Sequence, residues 1–288
     1  MLSVKLAKNI GFCSGVRRAV NIVEGTLSKS KAKVYSLGPV IHNTEVIKQL
    51  KEKNLFIVSS LDNLESASTL ILPSHGTPRN TLNTAKKKNL RLIDVTCPYV
   101  SLLQNICDML HKQGLEIIIV GDRKHPEVRA LLDLAPGAYT IETIKDIKEG
   151  TFSYKKLGII SQTTQSKDVF FGVVSEILQK NPLVKEVHVY NTVCLDTVRR
   201  QDEVKKLAGS VEVLLIIGSR HSANTKRLLC IGHKINKRTH LVENEKANLN
   251  KILKKANKVG LISGASTPQW LVKEIIKKIR EATTYGTK

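Results

Sequence analysis

The stretch KVGLISGASTPQWLVKEIIKKIREA, residues 258–282, contains a strand, a corner and a helix, and it decides the fold class. Its apolar beginning, 258–264, predicts a buried strand that ends at a glycine. Pro268 predicts the start of a helix over 268–282, because proline is favoured at the first helical position. Apolar residues then recur along one face of that helix: Leu271, Ile275 and Ile279.

The same alternation of apolar runs and amphipathic helices recurs along the chain. The opening residues MLSVKLAK predict a short strand. Further strands are predicted at 34–40, 69–75, 115–122, 156–162 and 211–219. Further helices are predicted at 15–27, 99–113 and 169–180. This alternation indicates an α/β fold with mainly parallel sheets.

Three of the five cysteines lie where a new helix is expected to begin: Cys13, Cys97 and Cys194. They are separated by the length of a small domain, which is too far for a CxxC metal knuckle. We therefore expect three α/β lobes with approximate boundaries, 1–96, 97–193 and 194–288, and packing of the N-terminal strand on another lobe is the alternative for that strand. Three converging thiolates indicate an iron-sulfur cluster with one iron open to substrate. Core packing of these cysteines remains the alternative at this point.

The other two cysteines, Cys107 and Cys230, lie within apolar helical patterns and are predicted to pack in the core. The odd cysteine count and the lack of a signal-like N-terminus favour a reducing, cytoplasmic location. No apolar run approaches the length of a membrane span.

The net charge of +21 raises nucleic-acid binding as an alternative function. However, the lysines are spread over several predicted helix faces, and only 4% of the residues are aromatic. Solvated helix faces are therefore the simpler interpretation, and attraction of anionic substrates or acidic partners is the functional one.

Polar residues follow most of the predicted strands. The carboxyl ends of parallel strands point towards the ligand crevice, so these residues are expected to share a site. They include three histidines and several helix-start residues: His42, His75, His125, Ser222, Asn224 and Ser266. Each hydroxyl or amide also fits an ordinary helix N-cap. Together they predict a phosphate or diphosphate pocket, although neither a Walker A motif nor a GxGxxG motif is present.

Nine short motifs occur in order along the chain: GFCSGVRRAV, IHN, SHG, DVTCP, HPEV, QTT, NTVC..T..RQ, HSANTKRL and SGAS. This ordered set resembles the 4-hydroxy-3-methylbut-2-enyl diphosphate reductase family, which acts last in the non-mevalonate isoprenoid pathway. The resemblance extends from residue 11 to about residue 270.

The resemblance implies three lobes in a pseudo-threefold arrangement around an oxygen-sensitive 4Fe-4S cluster, held by Cys13, Cys97 and Cys194. It implies that the open iron binds the substrate hydroxyl, and that the products are isopentenyl and dimethylallyl diphosphates. The diphosphate would be bound by His42, His75, His125, Ser222, Asn224 and Ser266. Electrons would come from ferredoxin or flavodoxin, since no flavin or nicotinamide motif is visible. The enzyme would be a monomer that binds neither nucleic acid nor membrane.

Two residues are expected to act in catalysis. Glu127, the acid of the HPEV corner, is the expected proton donor, and a helix-capping surface glutamate is the alternative. Thr163 of QTT matches the hydroxyl that orients the substrate oxygen in the family. The chain departs from the family pattern at Ala223, where a second serine is usual, and at Ala130, where glycine is usual.

Two other functions compete with the reductase. One is a basic nucleic-acid-binding protein whose cysteines hold structural zinc or no metal. The other is a hydrolase or lyase in which His125 and Glu127 act with a divalent metal. The spacing of the three cysteines and the missing fourth ligand favour the reductase over both.

Overall fold

The computed structural model describes residues 2–147 and 155–284. Its strands are β1 (Ser3–Leu6), β2 (Val34–Leu37), β3 (Leu55–Val58), β4 (Thr69–Leu72), β5 (Arg91–Asp94), β6 (Glu116–Val120), β7 (Tyr139–Ile141), β8 (Lys156–Ser161), β9 (Glu186–Val189), β10 (Val213–Ile217), β11 (Thr239–Val242) and β12 (Lys258–Ser263).

The α-helices are α1 (Ser14–Lys29), α2 (Thr44–Glu52), α3 (Arg79–Lys87), α4 (Pro98–Lys112), α5 (Pro126–Leu134), α6 (Lys167–Lys180), α7 (Leu195–Ala208), α8 (Ala223–Ile235), α9 (Leu249–Ile252) and α10 (Gln269–Thr284). A short 3₁₀ helix lies at Ile144–Asp146.

The strands form three four-stranded sheets with the orders β1-β12-β10-β11, β3-β2-β4-β5 and β7-β6-β8-β9. Every pairing within them is parallel. Three parallel-sheet α/β lobes confirm the predicted fold class. β1 pairs with β12, so the N-terminal strand is an edge of the last lobe's sheet.

The chain divides into two compact units. The first unit consists of Met1–Arg17, Ile41–Gln49 and Leu195–Lys288, and it contains the sheet that includes β1. The second unit consists of Arg18–Val40 and Leu50–Cys194, and it contains the other two sheets.

Strand β10 shows how helices cover both faces of the first unit's sheet. Val213, Leu215 and Ile217 pack with apolar residues of α9 and α10. Leu214 and Ile216 pack with apolar residues of α7 and α8. Because alternate side chains of a strand point to opposite faces, both faces of this strand are buried. Complete burial of one such side chain contributes about 1.5–3 kcal/mol.

Each predicted ligand cysteine is the residue immediately before a helix. Cys13 precedes α1, Cys97 precedes α4 and Cys194 precedes α7. α4 packs on β6 and β8 of the sheet that follows it in the chain. The predicted apolar face of α10 is confirmed, since Leu271, Ile275 and Ile279 are all buried.

The two remaining cysteines differ. Cys107 lies on the buried face of α4 and is fully buried in the core, as predicted. Burial raises the pKa of its thiol to about 12. The prediction for Cys230 is wrong, because Cys230 is exposed on α8. Its helix has a buried face formed by residues such as Leu228 and Gly232, and Cys230 lies off that face. Among the described residues, no helix combines the length and apolar composition needed to span a membrane.

Candidate functional site

Glu127 is a buried carboxyl group at the beginning of α5, with a residue exposure of 2%. Its Oε1 accepts the backbone N–H of Thr163 at 2.6 Å, and its Oε2 accepts the Thr163 hydroxyl at 2.8 Å. Burial raises the pKa of Glu127 to about 7, although the two hydrogen bonds from Thr163 act in the opposite direction. A carboxyl group with this pKa exchanges a proton readily near neutral pH.

The HPEV corner places Glu127 by ordinary helix-start chemistry. His125 is the N-cap of α5, and its Nδ1 accepts the backbone N–H of Glu127 at 3.2 Å. Pro126 occupies the first helical position, where its missing N–H has no cost. The helix therefore begins in a way that turns Glu127 into the protein, and the surface-cap alternative for Glu127 is wrong.

Two predicted substrate-binding histidines lie together in the second unit. The ring centroids of His75 and His125 are 6.5 Å apart, with the rings close to perpendicular. The backbone N–H of Cys97 donates to the carbonyl oxygen of Ser74 at 2.9 Å. This bond ties the Cys97 corner to the SHG corner.

Backbone hydrogen bonds join the corners of Cys97 and Cys194 to the segments that contain His75 and Thr163. Cys97 is the N-cap of α4, and burial raises the pKa of its thiol. The backbone N–H groups of Tyr99 and Val100 counter that effect by bonding to the sulfur. The backbone N–H of Cys194 donates to the carbonyl oxygen of Thr163 at 2.9 Å. The second unit thus brings together Cys97, Cys194, His75, His125, Glu127 and Thr163.

The first unit brings together other predicted residues. The backbone N–H of Cys13 donates to Ala265 O at 3.0 Å, and the Cys13 sulfur accepts the N–H of Val16 at 3.4 Å. The Ser266 hydroxyl donates to the carbonyl oxygen of His42 at 3.1 Å. The Cys13 corner and the Ser266 corner are therefore adjacent.

Asn224 has the features of a ligand-binding amide. It is 3% exposed, and among the described residues neither its Nδ2 nor its Oδ1 has a hydrogen-bond partner. A buried polar group without a partner costs about 1–3 kcal/mol. Binding of a ligand to the amide would remove this cost. Ser222 beside it is the N-cap of α8 and accepts the N–H of Thr225 at 3.3 Å.

The electrostatics around His42 favour an anion. Burial lowers the pKa of His42, and the nearby His221 and Lys226 lower it further. A neutral imidazole beside the positive Lys226 can donate or accept a hydrogen bond without charge repulsion. Added to the orphaned amide of Asn224, this setting suits a diphosphate better than a cationic ligand.

The cysteines have the chemistry that an iron-sulfur cluster requires. Cys13, Cys97 and Cys194 are half-buried thiols that each precede a helix N-terminus, whose backbone N–H groups stabilise a thiolate and, at Cys97, offset part of the effect of burial on the pKa. Within residues 2–147 and 155–284, no group of three or more His, Cys, Asp and Glu side chains is placed to hold a single metal ion. A cluster differs from a single ion because each thiolate binds a different iron atom. The donor set therefore fits the cluster.

Two residues of the quoted motifs have roles that were not predicted. Gln162 accepts the backbone N–H of Asp122 at 3.0 Å and donates to the Thr164 hydroxyl at 2.9 Å, so it joins the ends of β6 and β8. Arg200 is completely buried and donates to several backbone carbonyls. Gln162 belongs to the QTT motif and Arg200 to the NTVC..T..RQ motif, so these motifs were the sequence signal that could have identified both residues.

Comparison with known proteins gives a consistent result. Residues 4–280 match the model of the LytB protein family. The chain is 38% identical to the 4-hydroxy-3-methylbut-2-enyl diphosphate reductase of Aquifex aeolicus over 285 residues, covering 98% of this chain and 97% of that one. It is 39% identical to the Geobacter sp. (strain M21) protein of the same name over 279 residues, covering 96% and 97%.

Solved structures agree. One of (E)-4-hydroxy-3-methyl-but-2-enyl diphosphate reductase, the terminal enzyme of the non-mevalonate pathway, matches with a TM-score of 0.69 and 37% identity over 98% of this chain and 100% of that one. The reductase structure from Plasmodium falciparum matches with a TM-score of 0.89 and 29% identity over 96% of this chain and 87% of that one. The resemblance predicted from the motifs is confirmed, and the chain belongs to the LytB family, together with these reductases.

Proposed function

We propose that this chain reduces (E)-4-hydroxy-3-methylbut-2-enyl diphosphate to isopentenyl diphosphate and dimethylallyl diphosphate. The reaction consumes two electrons and two protons, breaks the allylic C–O bond and releases water. The buried Glu127 carboxyl, held at both oxygens by Thr163, is the observation that supports this assignment most strongly. It is a proton donor with a pKa near 7 in the unit that also contains two of the three proposed ligand cysteines.

Cys13, Cys97 and Cys194 are proposed to hold a 4Fe-4S cluster. When bound, the cluster would supply electrons one at a time and an iron with an open coordination position for the substrate oxygen. The Cys13 sulfur accepts one backbone N–H from the helix that follows it, and the Cys97 sulfur accepts two. Cys194 lies directly before α7. These N–H groups offset part of the thiolate charge.

Glu127 and Thr163 are proposed to deliver the proton that converts the leaving hydroxyl to water. Hydroxide is a poor leaving group, so protonation in the transition state lowers the barrier. In the ionised state of Glu127, Thr163 donates its hydroxyl hydrogen to Oε2. Once Glu127 is protonated, the carboxyl can donate in turn, and the Thr163 hydroxyl can pass a hydrogen bond to the substrate oxygen.

The diphosphate is proposed to bind to the polar side chains that the family resemblance assigns to it. These are His42, His75, His125, Ser222, Asn224 and Ser266. The orphaned amide of Asn224 supports this role, as does the positive Lys226 near His42. Ser222 and Asn224 lie at the N-terminus of α8, where backbone N–H groups favour an anion.

An acidic carrier, ferredoxin or flavodoxin, is proposed as the electron donor. The net charge of +21 would attract such a partner over a long range and raise its association rate. The rate of reduction should therefore fall as ionic strength rises. A rate that does not depend on salt would contradict this use of the lysines. We further propose that the enzyme works as a monomer in the cytoplasm, where its thiols stay reduced.

The decisive experiment is anaerobic purification or reconstitution with iron and sulfide, followed by absorption and Mössbauer spectra with and without substrate. We expect a brown protein with about four irons per chain, one of which changes its signal when substrate is added. A colourless chain that cannot be reconstituted would contradict the proposal and favour a zinc or nucleic-acid function.

Cysteine variants sharpen this test. Substitution of Cys13, Cys97 or Cys194 by serine should lower the iron content and abolish turnover. Cys230→Ser is the matched control, since Cys230 is exposed on α8 and should leave both unchanged. Equal loss of iron in the control and in the three ligand variants would contradict the ligand assignment.

A further inference from the structure

Arg200 is a charged side chain in the interior of the first unit, with a residue exposure of 2%. It lies on α7, the helix that follows Cys194. Burial of an arginine is costly unless its charge and all its N–H groups are satisfied. The partners of Arg200 therefore indicate why the arginine is there.

All five N–H groups of the guanidinium have partners. Nε donates to Asp196 Oδ2 at 2.7 Å. Nη1 donates to the carbonyl oxygens of Asn9 at 2.9 Å and Ser263 at 2.8 Å. Nη2 donates to the carbonyl oxygen of Gly11 at 2.9 Å and to Asp196 Oδ1 at 3.5 Å. Asp196 thus orients the guanidinium from the same helix, and three backbone carbonyls occupy its other donors.

These carbonyls belong to the two segments that fix the Cys13 corner. Asn9 and Gly11 lie between β1 and Cys13, and Ser263 is the last residue of β12. The two segments also bond directly, since Gly11 N donates to Ser263 Oγ at 2.8 Å and Cys13 N donates to Ala265 O at 3.0 Å. Arg200 therefore joins the loops that leave two neighbouring strands.

The backbone of this corner is tightly constrained. Gly11 has a φ of +89°, which a residue with a side chain adopts rarely. A Cβ added at Gly11 would lie 2.5 Å from Oε1 of Gln269. The Ser266 hydroxyl, one residue beyond Ala265, reaches the carbonyl oxygen of His42. A shift of the Cys13 corner would therefore also move groups proposed to bind the diphosphate.

We propose that Arg200 is a positioning residue that fixes the Cys13 thiol for the cluster and couples it to the Ser266 corner. This inference rests on the proposed function, because it takes Cys13 as a cluster ligand. Lysine cannot replace arginine in this role, since a single ammonium group cannot reach three carbonyls and a carboxylate in one plane. Without Arg200, the segment before Cys13 would keep its direct bonds to the end of β12. It would lose the guanidinium that binds the carbonyl oxygens of both segments.

The test compares Arg200→Met with Arg199→Met in the full chain. Arg199 is the exposed neighbour of Arg200 on the same helix, so its variant controls for the loss of one positive charge. The metal-free proteins are treated briefly with iodoacetamide, and the labelling of Cys13, Cys97 and Cys194 is measured by mass spectrometry. We expect Arg200→Met to speed the labelling of Cys13 about tenfold, while Cys97 and Cys194 change less than about twofold.

A merely structural arginine would give a different result. If all three thiols become more reactive together, or if Cys13 is labelled as in Arg199→Met, the proposal is overturned. If Arg200→Met does not fold, Arg200→Lys replaces it, and a smaller but still selective rise at Cys13 is expected. If Cys13 in Arg200→Lys is labelled as slowly as in the unmodified chain, the proposal is also overturned.

Reconstitution separates this proposal from the proposed function. Arg200→Met should bind less iron than Arg199→Met, and its spectrum should respond more weakly to substrate. If the unmodified chain binds no cluster, the reductase assignment fails, while the thiol labelling still tests Arg200. If Arg200→Met loads iron and turns over like the control, the reductase assignment stands and the role of Arg200 is wrong.

Discussion

Thr163 binds both carboxylate oxygens of Glu127, through its backbone N–H to Oε1 at 2.6 Å and through its hydroxyl to Oε2 at 2.8 Å. The same residue accepts the backbone N–H of Cys194 through its carbonyl oxygen. The proposed proton donor and one proposed cluster ligand are therefore held by a single residue. The proton donor cannot shift without disturbing the corner that contains Cys194.

Replacement of the proton donor gives the first prediction. Glu127→Gln should lower kcat by about 10²–10⁴-fold, the usual contribution of a general acid. In the unmodified enzyme, kcat should fall as pH rises above about 7, where Glu127 loses its proton. The residual kcat of Glu127→Gln should not show this fall at high pH. Glu142→Gln, an exposed glutamate of the same lobe, is the control, and an unaltered pH profile in Glu127→Gln would rule out the assigned role.

The same group makes stability depend on pH. Because burial raises the pKa of Glu127 from 4.5 to about 7, the folded protein binds more protons than the unfolded chain between these values. This contribution to stability is fully present below pH 4.5 and is lost as pH rises to about 7. Across this window, the free energy of unfolding of the metal-free protein should fall by about 3 kcal/mol relative to Glu127→Gln. Urea denaturation of both proteins at several pH values would show parallel curves if this is wrong.

The hydroxyl of Thr163 can be removed without removing its backbone N–H. Its hydrogen bond lowers the pKa of Glu127, so Thr163→Val should raise that pKa and move the alkaline limb of kcat to higher pH. The value of kcat should also fall, because the hydroxyl no longer relays a hydrogen bond to the substrate oxygen. Thr163→Ser keeps the hydroxyl and should retain the original pH profile. The measurement is kcat from pH 5 to 9. Identical limbs in the two variants would count against the effect of the hydroxyl on the pKa of Glu127, and equal kcat values would count against the relay.

Asn224 should show opposite effects on stability and binding. Its amide has no partner for either atom among the described residues, so Asn224→Leu should leave the protein equally stable or more stable, by up to about 2 kcal/mol. The Michaelis constant for the substrate should rise about tenfold, since a charged hydrogen bond is lost. Asn236→Leu is the control, because Asn236 bonds three carbonyls at the other end of α8. That variant should be less stable with the Michaelis constant unchanged, and the reverse pattern would refute the binding role.

Ala223 offers a gain of affinity. It is the first residue of α8, between Ser222 and Asn224, where the family usually has serine. Ala223→Ser should add one hydrogen bond to the diphosphate and lower the Michaelis constant about fivefold, which corresponds to about 1 kcal/mol. Steady-state kinetics with the unmodified enzyme as reference would test this, and a constant that does not fall would contradict it.

The sequence predicted central strands well and edge strands poorly. The six strands expected from apolar runs after the N-terminal strand are β2, β4, β6, β8, β10 and β12. Each lies inside its sheet and is mainly apolar, and most of the residues in these strands are buried. The edge strands β3, β5, β7, β9 and β11 were not predicted. Few of their residues are buried, and all but β3 contain polar residues that interrupt the apolar run.

Site residues were predictable where a motif combined chemistry with a strand end. Glu127 followed from the HPEV corner, but its bonds to Thr163 depend on the packing of β6 beside β8. Arg200 was part of a quoted motif, but the sequence alone does not show that its side chain is buried while that of Arg199 is exposed. The burial of Arg200 and its contacts with Asn9 and Ser263 arise only when distant parts of the chain meet.

The pairing of β1 with β12 has a consequence for how the enzyme matures. Among the described strands, β1 is synthesised first, but its neighbour in the sheet is β12, which is synthesised last. The sheets of the second unit can form during translation, because their strands lie close together along the chain. The Cys13 corner depends on Ser263 and Ala265, so it can form only after β12 and the corner that follows it have emerged. Insertion of the proposed cluster at Cys13 is therefore expected only after β12 has been synthesised.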